Sequence, residues 1–365
     1  MEKRILLISQ HLNRAGTEAF MMSVFRGIDH SRFQVDFLIY NKLETDYSRE
    51  VEAAGNKVWR VTSRRESPLK WYKELNRFFK EHAGEYAAIH YCGNGLTTIA
   101  PLVFAYCYGV PIRIVHSHNS SSSGFHNRLL HILQRGIAKR LTTHHFACSS
   151  EAAKWFFGRS PSVIIRNGID TRLFDYNPQS RDETRQQLNI SPSATVMIHV
   201  GRFTPEKNHT FLLDVFAAFL EQRQDALLVL VGNGPLMEQT VCKSKELGIS
   251  NRVVFLGERK DVPCLLQAAD CFLMPSTFEG QPFVLIEAQC SGLPCIVSDV
   301  VNDDICLTAN VTRLSLKTSA KEWSARIATI CDSYVRRSCR EEIERQGYSI
   351  RETVNYLEKV YDGAI

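Results

Sequence analysis

Residues 195–231, TVMIHVGRFTPEKNHTFLLDVFAAFLEQRQDALLVLV, carry the pattern that decides the fold. The apolar run Thr195–Val200 stops at a glycine and a polar loop, the stretch His209–Arg223 has apolar residues at helical spacing, and a second apolar run follows at Leu227–Val231. That is a strand, a helix and a strand, the βαβ unit that feeds a parallel sheet. The alternation continues through a helix at Leu236–Leu247, a strand at Val253–Leu256, a helix at Val262–Ala268, a strand at Cys271–Met274, a helix at Phe283–Cys290 and a strand at Pro294–Ser298. After Asn310 the pattern turns helical, through Ala320–Cys331 and Ile350–Tyr361.

The first half obeys the same rhythm. Strands are expected at Ile5–Ser9, Val35–Tyr40, Lys57–Val61, Ala88–Tyr91, Ile112–His116, Phe146–Cys148 and Val163–Ile165, with helices such as Pro68–His82 and His126–Leu141 between them. Glycine and proline break the pattern over Asn167–Pro178, where the linker is placed. A chain of 365 residues suits two domains of roughly 150 to 200 residues each. The expected fold is therefore α/β, with two Rossmann-like domains leaving a cleft at the carboxyl ends of two sheets, where ligands of such folds sit.

Composition narrows the class. With 44% hydrophobic and 23% charged residues and no low-complexity tract, both halves should pack as globular domains. The apolar run Ile5–Ile8 is too short for a signal-peptide core, so a cytoplasmic location is expected. The window Leu96–Val115 is interrupted at Pro101, Gly109 and Pro111 and falls short of the roughly 20 residues that span a bilayer. It reads as a buried helix followed by a buried strand. Eleven cysteines, odd in number and without a C-x-x-C pair, read as free thiols, and no metal-ligand set at short spacing appears. Charge is uneven: residues 1–170 hold 23 Lys and Arg against 14 Asp and Glu, or +9, and the remainder is −4. One domain should therefore meet something acidic.

Five motifs carry candidate chemistry. In Pro275–Ala288, Glu279 and Glu287 flank a strand-to-helix turn in which Gly280 and Pro282 hold the first carboxylate on the loop. The helix opening at Phe283 offers free amides to a phosphate, and Glu287, one turn in, can accept hydrogen bonds from ribose hydroxyls. In Gly201–Asn208, Arg202 and Lys207 project two cations from the loop after a strand, able to neutralise a diphosphate leaving group. Arg14-Ala15-Gly16-Thr17-Glu18 forms a glycine turn before a helix, close enough for a phosphate or an acceptor but without the G-x-G-x-x-G of a nicotinamide site. Val115–Ser120 puts His116, His118 and Asn119 at a strand end, and of the two histidines His118 is favoured for contact with donor sugar or acceptor. The stretch His126–Leu141 mixes apolar and basic residues; with Arg64 and Arg65 it can rest on an anionic bilayer, or it can be a core-facing helix with a solvated basic face.

These elements, with the Asn167-Gly168-Ile169-Asp170 linker and Val231–Leu236, resemble glycosyltransferase family 4 in order and over nearly the whole chain. His116–Asn119 and Phe278–Pro282 are most similar to the branch that builds bacterial capsular and exopolysaccharides. The resemblance implies a GT-B fold: an acceptor-binding domain at 1–168, a nucleotide-sugar domain at 169–345, and a helix at 346–365 crossing back to the first domain. It implies a retaining, metal-independent transfer of a hexose or N-acetylhexosamine from a nucleotide sugar, most often UDP-linked, to a lipid-linked or glycan acceptor.

By the same resemblance Arg202 and Lys207 hold the diphosphate, Glu287 the ribose, Glu279 the donor sugar and the amides of Phe283 and Val284 the distal phosphate. Gly16 approaches the phosphates, Asn233 and Gly280 line the donor, and the nucleobase lies near Arg259 to Val262. Thr17, Glu18, His116, His118 and Asn119 fall to the acceptor, and His118, Glu279, Arg202 and Lys207 form the catalytic set. Nucleic acid is not among the expected partners and no cofactor is implied; peripheral contact with the inner face of the plasma membrane is. Family members often carry two glycines in the first loop, where this chain has Ala15 before Gly16. Two other classes remain open at this stage, a nucleotide-sugar epimerase of the same fold and a non-catalytic sugar-binding protein.

Overall fold

The computed structural model describes residues 2–13, 16–93, 95–119, 125–279 and 282–365. The chain divides into two compact units, Met1–Gly168 together with Ile350–Ile365, and Ile169–Ser349.

In unit 1 the elements run β1 (Lys3–Ser9), α1 (Gly16–Gly27), β2 (Phe33–Ile39), α2 (Asp46–Ala53), β3 (Val58–Arg60), α3 (Pro68–His82), β4 (Ala88–Gly93), α4 (Ala100–Cys107), β5 (Ile112–Ser117), α5 (Phe125–Leu141), β6 (His144–Ala147), α6 (Ser150–Phe157) and β7 (Val163–Ile164). Unit 2 follows with α7 (Pro178–Gln187), β8 (Val196–Val200), α8 (His209–Leu220), β9 (Leu227–Val231), α9 (Met237–Glu246), β10 (Val253–Gly257), α10 (Val262–Ala268), β11 (Cys271–Met274), α11 (Phe283–Cys290), β12 (Cys295–Ser298), β13 (Val311–Leu314), α12 (Ala320–Ser333) and α13 (Arg340–Arg345). The chain then returns to unit 1 as α14 (Ile350–Tyr361).

Every strand pairing is parallel, in the orders β3-β2-β1-β4-β5-β6-β7 and β10-β9-β8-β11-β12-β13. Parallel strands joined by helices are covered on both faces, which explains their unbroken apolar runs. In β1, Ile5 and Leu7 pack into the cluster containing α1 and α14, while Leu6 and Ile8 pack toward α3, α4 and α6. Val196 and Ile198 of β8 likewise point to one core of unit 2 and Met197 to the other.

The last helix completes the first core. Val354, Leu357, Val360 and Tyr361 of α14 are buried beside Phe20, Val24 and Phe25 of α1. A Cβ at Gly27 would lie 3.1 Å from Val354 Cγ2, so the glycine lets the two helices approach.

Two elements lie where the sequence pattern had no signal. Val311–Leu314 is a strand paired with β12, although the pattern after Asn310 reads as helical; it is a four-residue edge strand, only half-buried, and so lacks an apolar run. Pro178–Gln187 is a helix where the linker was expected to end. Its ten residues are polar all round, so periodicity is silent, and it is started by the Asn177 side chain capping Ser180 N–H with proline in the first turn. Its anchor is electrostatic: Arg181 and Arg185 both pair with Asp270, and the Arg185 Nη2 to Asp270 Oδ2 distance is 2.6 Å.

Candidate active site

In an open parallel sheet, ligands bind beyond the carboxyl ends of the strands, where strand order reverses and neighbouring loops part. In unit 2 the reversal falls between β8 and β11, in unit 1 between β1 and β4. Gly201–Asn208 and Pro275–Pro282 are the loops that follow β8 and β11, and backbone bonds tie them together. Thr277 N–H donates to the Glu206 carbonyl at 2.8 Å, and Asn208 Nδ2 to the Pro275 carbonyl at 3.1 Å. Asn208 sits in the left-handed region at φ 55°, which asparagine tolerates better than most residues. The loop after β9 joins the rim: Phe203 N–H donates to the Asn233 carbonyl at 3.0 Å and Leu236 N–H to the Phe203 carbonyl at 3.1 Å. Gly232, at φ 133°, is required there, because a Cβ would stand 2.1 Å from the Gly201 carbonyl oxygen.

Some of the charged residues of this rim are paired and others are not. Lys207 Nζ lies 2.6 Å from Glu279 Oε1, and the carboxylate side chain is only 7% exposed. In the protein without substrate, the lysine is therefore neutralised by the glutamate expected to face the sugar. Arg202 is exposed and makes no ion pair among the described residues, so it holds an uncompensated positive charge. At the start of α11 the cap residue is Pro282, no side chain caps the helix, and the amides of Phe283 and Val284 have no acceptor among the described residues. Arg259 is held by Asp261 through Nε and Nη2 at 2.8 and 2.6 Å, just ahead of Val262, which opens α10. Gly280 lies outside the described residues.

Glu287 is the fifth residue of α11, and burial alone pushes its pKa up to about 7, with no cation beside it to bring it down. A desolvated carboxylate with no hydrogen-bond partner among the described residues, on the helix whose first amides are free, is the kind of group that a ligand bringing donors would satisfy.

Sequence reading missed two residues of this rim. His199 of β8 is fully buried with Nδ1 2.8 Å from the Leu273 carbonyl, and His209, the first residue of α8, stacks on Phe203 at 4.0 Å. Burial lowers their pKa values to about 3 and about 4, with the neighbouring His209 and Lys207 adding to it respectively. Both are neutral supports beneath a cationic loop; the available signal was their placement on either side of Gly201–Asn208.

Unit 1 sorts its candidates by depth. Gly16 is the exposed first residue of α1, while Arg14 and Ala15 lie outside the described residues. Thr17 and Glu18 are turned inward, and Ser9 Oγ donates to Glu18 Oε1 at 3.0 Å. Glu18, expected on the acceptor side, is a buried acceptor of an internal bond. His116 is fully buried and faces the core, because it shares a strand face with Ile114. His118 keeps partial exposure at the end of β5, its backbone N–H donating to the Gly93 carbonyl at 3.1 Å. Burial pushes its pKa down to about 3, opposed by the Asn167 side chain, so its imidazole is neutral. Asn119 is exposed, and its carbonyl accepts from Ser117 Oγ at 3.2 Å.

Residues 180–349, which hold the whole unit 2 rim, match the model of the glycosyl transferases group 1. Over 99% of this chain and 97% of the relative, the sequence is 34% identical to the putative glycosyltransferase EpsF of Bacillus subtilis (strain 168). The chain belongs to the group 1 glycosyltransferases. This glycosyltransferase is also 34% identical, over 40% of its length and 38% of the relative, to an Escherichia coli enzyme named UDP-Gal:alpha-D-GlcNAc-diphosphoundecaprenol alpha-1,3-galactosyltransferase. Its fold is GT-B, with a TM-score of 0.76 to Anabaena Alr3699/HepE in complex with UDP, at 20% identity and with both chains wholly covered. Membership does not favour the epimerase or the non-catalytic binding protein.

The Glu287 carboxyl gives a testable signature. Its raised pKa means the folded state holds the proton more tightly than the unfolded chain, so stability falls as pH rises from 4.5 to about 7 and is level beyond. Glu287→Gln should match the parent near pH 4 and exceed it at pH 8 by up to roughly 3 kcal/mol, measured by urea unfolding across that range.

Proposed function

We propose that this glycosyltransferase moves a hexose or N-acetylhexosamine from a UDP-sugar to a lipid-linked or glycan acceptor during synthesis of a bacterial capsular or exopolysaccharide, with retention of anomeric configuration. The carrying observation is the unit 2 rim, where Arg202, the Lys207–Glu279 pair, the free amides of α11 and the desolvated Glu287 follow β8 and β11. A UDP-sugar matches it group for group. Its diphosphate takes the cations and amides, its ribose hydroxyls donate to Glu287, and its sugar hydroxyls exchange with Lys207 for Glu279. The UDP held by HepE and the UDP-Gal and diphosphoundecaprenol in the name of the E. coli relative support the donor and acceptor classes.

Cleavage of the anomeric bond leaves charge on UDP and an oxocarbenium-like sugar. Arg202, Lys207 and the α11 amides stabilise that charge as it develops, so the reading assigns no divalent metal to the diphosphate. Glu279 and Glu287 have binding roles in this reading, so it assigns no carboxylate as nucleophile from the opposite face. The reading is therefore front-face attack, the leaving phosphate taking the acceptor's proton, with His118 and Asn119 on the acceptor side.

Unit 1 carries the surface such an acceptor needs. Along α5, Leu129, Leu130, Ile132, Leu133 and Ile137 are 38 to 63% exposed, Arg128, Arg135, Lys139 and Arg140 lie among them, and the helix has no acidic residue. His131 and Ala138 are its buried contacts, so the apolar residues are not spent on the core. This supports docking on an anionic bilayer; among the described residues no helix is long and apolar enough to cross a membrane.

Three outcomes are expected. Calorimetry with UDP should show binding to the parent and none to Lys207→Ala or Glu287→Ala at comparable concentrations; full affinity in both variants would remove the site. Proton NMR of the first-formed product should show the donor's anomeric configuration, and an inverted product sinks the front-face step. Sedimentation with vesicles containing phosphatidylglycerol should pull down the parent, while Leu133→Glu with Arg135→Glu should stay in the supernatant; equal pelleting of both rules out α5 as the docking face.

A further inference from the structure

Behind His118 lies a row of buried polar rings that the transfer reaction does not account for. His90 and Cys92 of β4 and Ile114 and His116 of β5 share the sheet face that packs on α1 and α14, in the register that sets Cys92 beside His116. His90 and His116 are fully buried, as is Tyr361 near the end of α14. Tyr361 Oη lies 2.7 Å from His90 Nδ1, and His90 Nε2 lies 3.1 Å from His116 Nδ1. The His116 ring then packs against His118 at a centroid distance of 4.1 Å, and Phe20 of α1 touches both rings at 5.0 and 4.9 Å.

From this geometry we propose that Tyr361, His90 and His116 form a directional hydrogen-bond chain that fixes the tautomer of His116 and the position of His118, making Tyr361 a positioning residue supplied by the C-terminal helix. The part concerning His118 rests on the functional reading above. The direction follows from satisfaction of buried donors. Tyr361 has one proton, and among the described residues His90 Nδ1 is the acceptor within reach, so Tyr361 O–H donates to His90 Nδ1. His90 must then carry its proton on Nε2, which donates to His116 Nδ1. His116 in turn carries its proton on Nε2, which makes no hydrogen bond of normal geometry among the described residues, although the Ile165 backbone nearby favours a proton on this ring. Each ring has one proton and each contact one donor. Burial keeps both imidazoles neutral, His90 down to about 3 and His116 well below the usual histidine range, so no member needs a counter-ion.

The same residues include a thiol: His90, Cys92 and His116 offer ligand atoms within 4.8 Å of one another. The two nitrogens that would ligate a metal instead face each other at hydrogen-bond distance, with the remaining His90 nitrogen committed to a phenol. A proton between them satisfies both rings without a charged group in a dry core.

The test is long-range 15N–1H correlation NMR on the full chain carrying 15N-histidine, without substrate, in the parent, Tyr361→Phe and Tyr356→Phe. The parent should show His90 and His116 each as a single neutral tautomer protonated on Nε2 and unchanged between pH 5.5 and 8. Tyr361→Phe keeps the ring and should turn His90 into a mixture of tautomers while shifting the His118 resonances. Tyr356→Phe, on the same helix but with a ring that meets Phe146 rather than His90, should leave all three unchanged. An Nδ1-protonated His90 in the parent, or His90 and His118 signals identical in Tyr361→Phe, overturns the chain. One equivalent of zinc in the purified protein, with both nitrogens shifted as metal ligands, overturns it in favour of a metal site. If Tyr361→Phe fails to fold, the parent's tautomers alone decide. Failure of the parent to bind UDP would defeat the UDP-sugar reading and leave these spectra as they are.

Discussion

Parallel strands direct all their carboxyl ends to one edge of the sheet, and where the strand order reverses the loops on either side must part. That constraint decides what the rest of the glycosyltransferase can do. In unit 2 the reversal places the loop after β8 next to the loop after β11, and Lys207 from one meets Glu279 from the other. The backbone bonds Thr277 to Glu206 and Asn208 to Pro275 hold the two loops in register, so the ion pair is seated by the sheet rather than by chance contact of long side chains. Gly232 lets a third loop press against Gly201.

The electrostatics of this rim are balanced short of neutrality. Lys207 and Glu279 cancel, His199 and His209 are neutral beneath them, and Arg202 with the start of α11 is left as the positive feature. Glu287 is a half-buried, desolvated carboxyl without a hydrogen-bond partner among the described residues, and its raised pKa expresses that cost. An anion that also brings hydroxyl donors relieves both imbalances at once, which a plain phosphate does not. The pairing of demands, more than any single residue, is why a nucleotide sugar suits the site.

Much of this was legible in the sequence because the signals are local. Pro68–His82, Leu227–Val231, Val262–Ala268, Phe283–Cys290 and Ile350–Tyr361 stand where apolar periodicity and terminal residues put them. The Glu279 and Glu287 motif was readable because a loop and a helix start are fixed by glycine, proline and spacing. What escaped depends on contacts across the fold. The α7 helix is polar all round and held by Asp270, distant in sequence, while β13 is an edge strand with an arginine in its middle. Neither the burial of His116 nor the engagement of Glu18 by Ser9 could be read from neighbours along the chain, since both follow from which face of the sheet a helix covers.

The return of α14 to unit 1 has a bearing on biogenesis. The side of the first sheet formed by Ile5, Leu7, Val35 and Phe37 is finished by Val354, Leu357 and Val360, which leave the ribosome only after all of unit 2 has been made. Throughout translation of some 180 intervening residues the nascent amino-terminal half carries an open apolar flank, the condition in which partly folded chains associate wrongly or recruit chaperones. Unit 2, contiguous in sequence, has no such delay, so order of synthesis and order of completion are reversed in this protein.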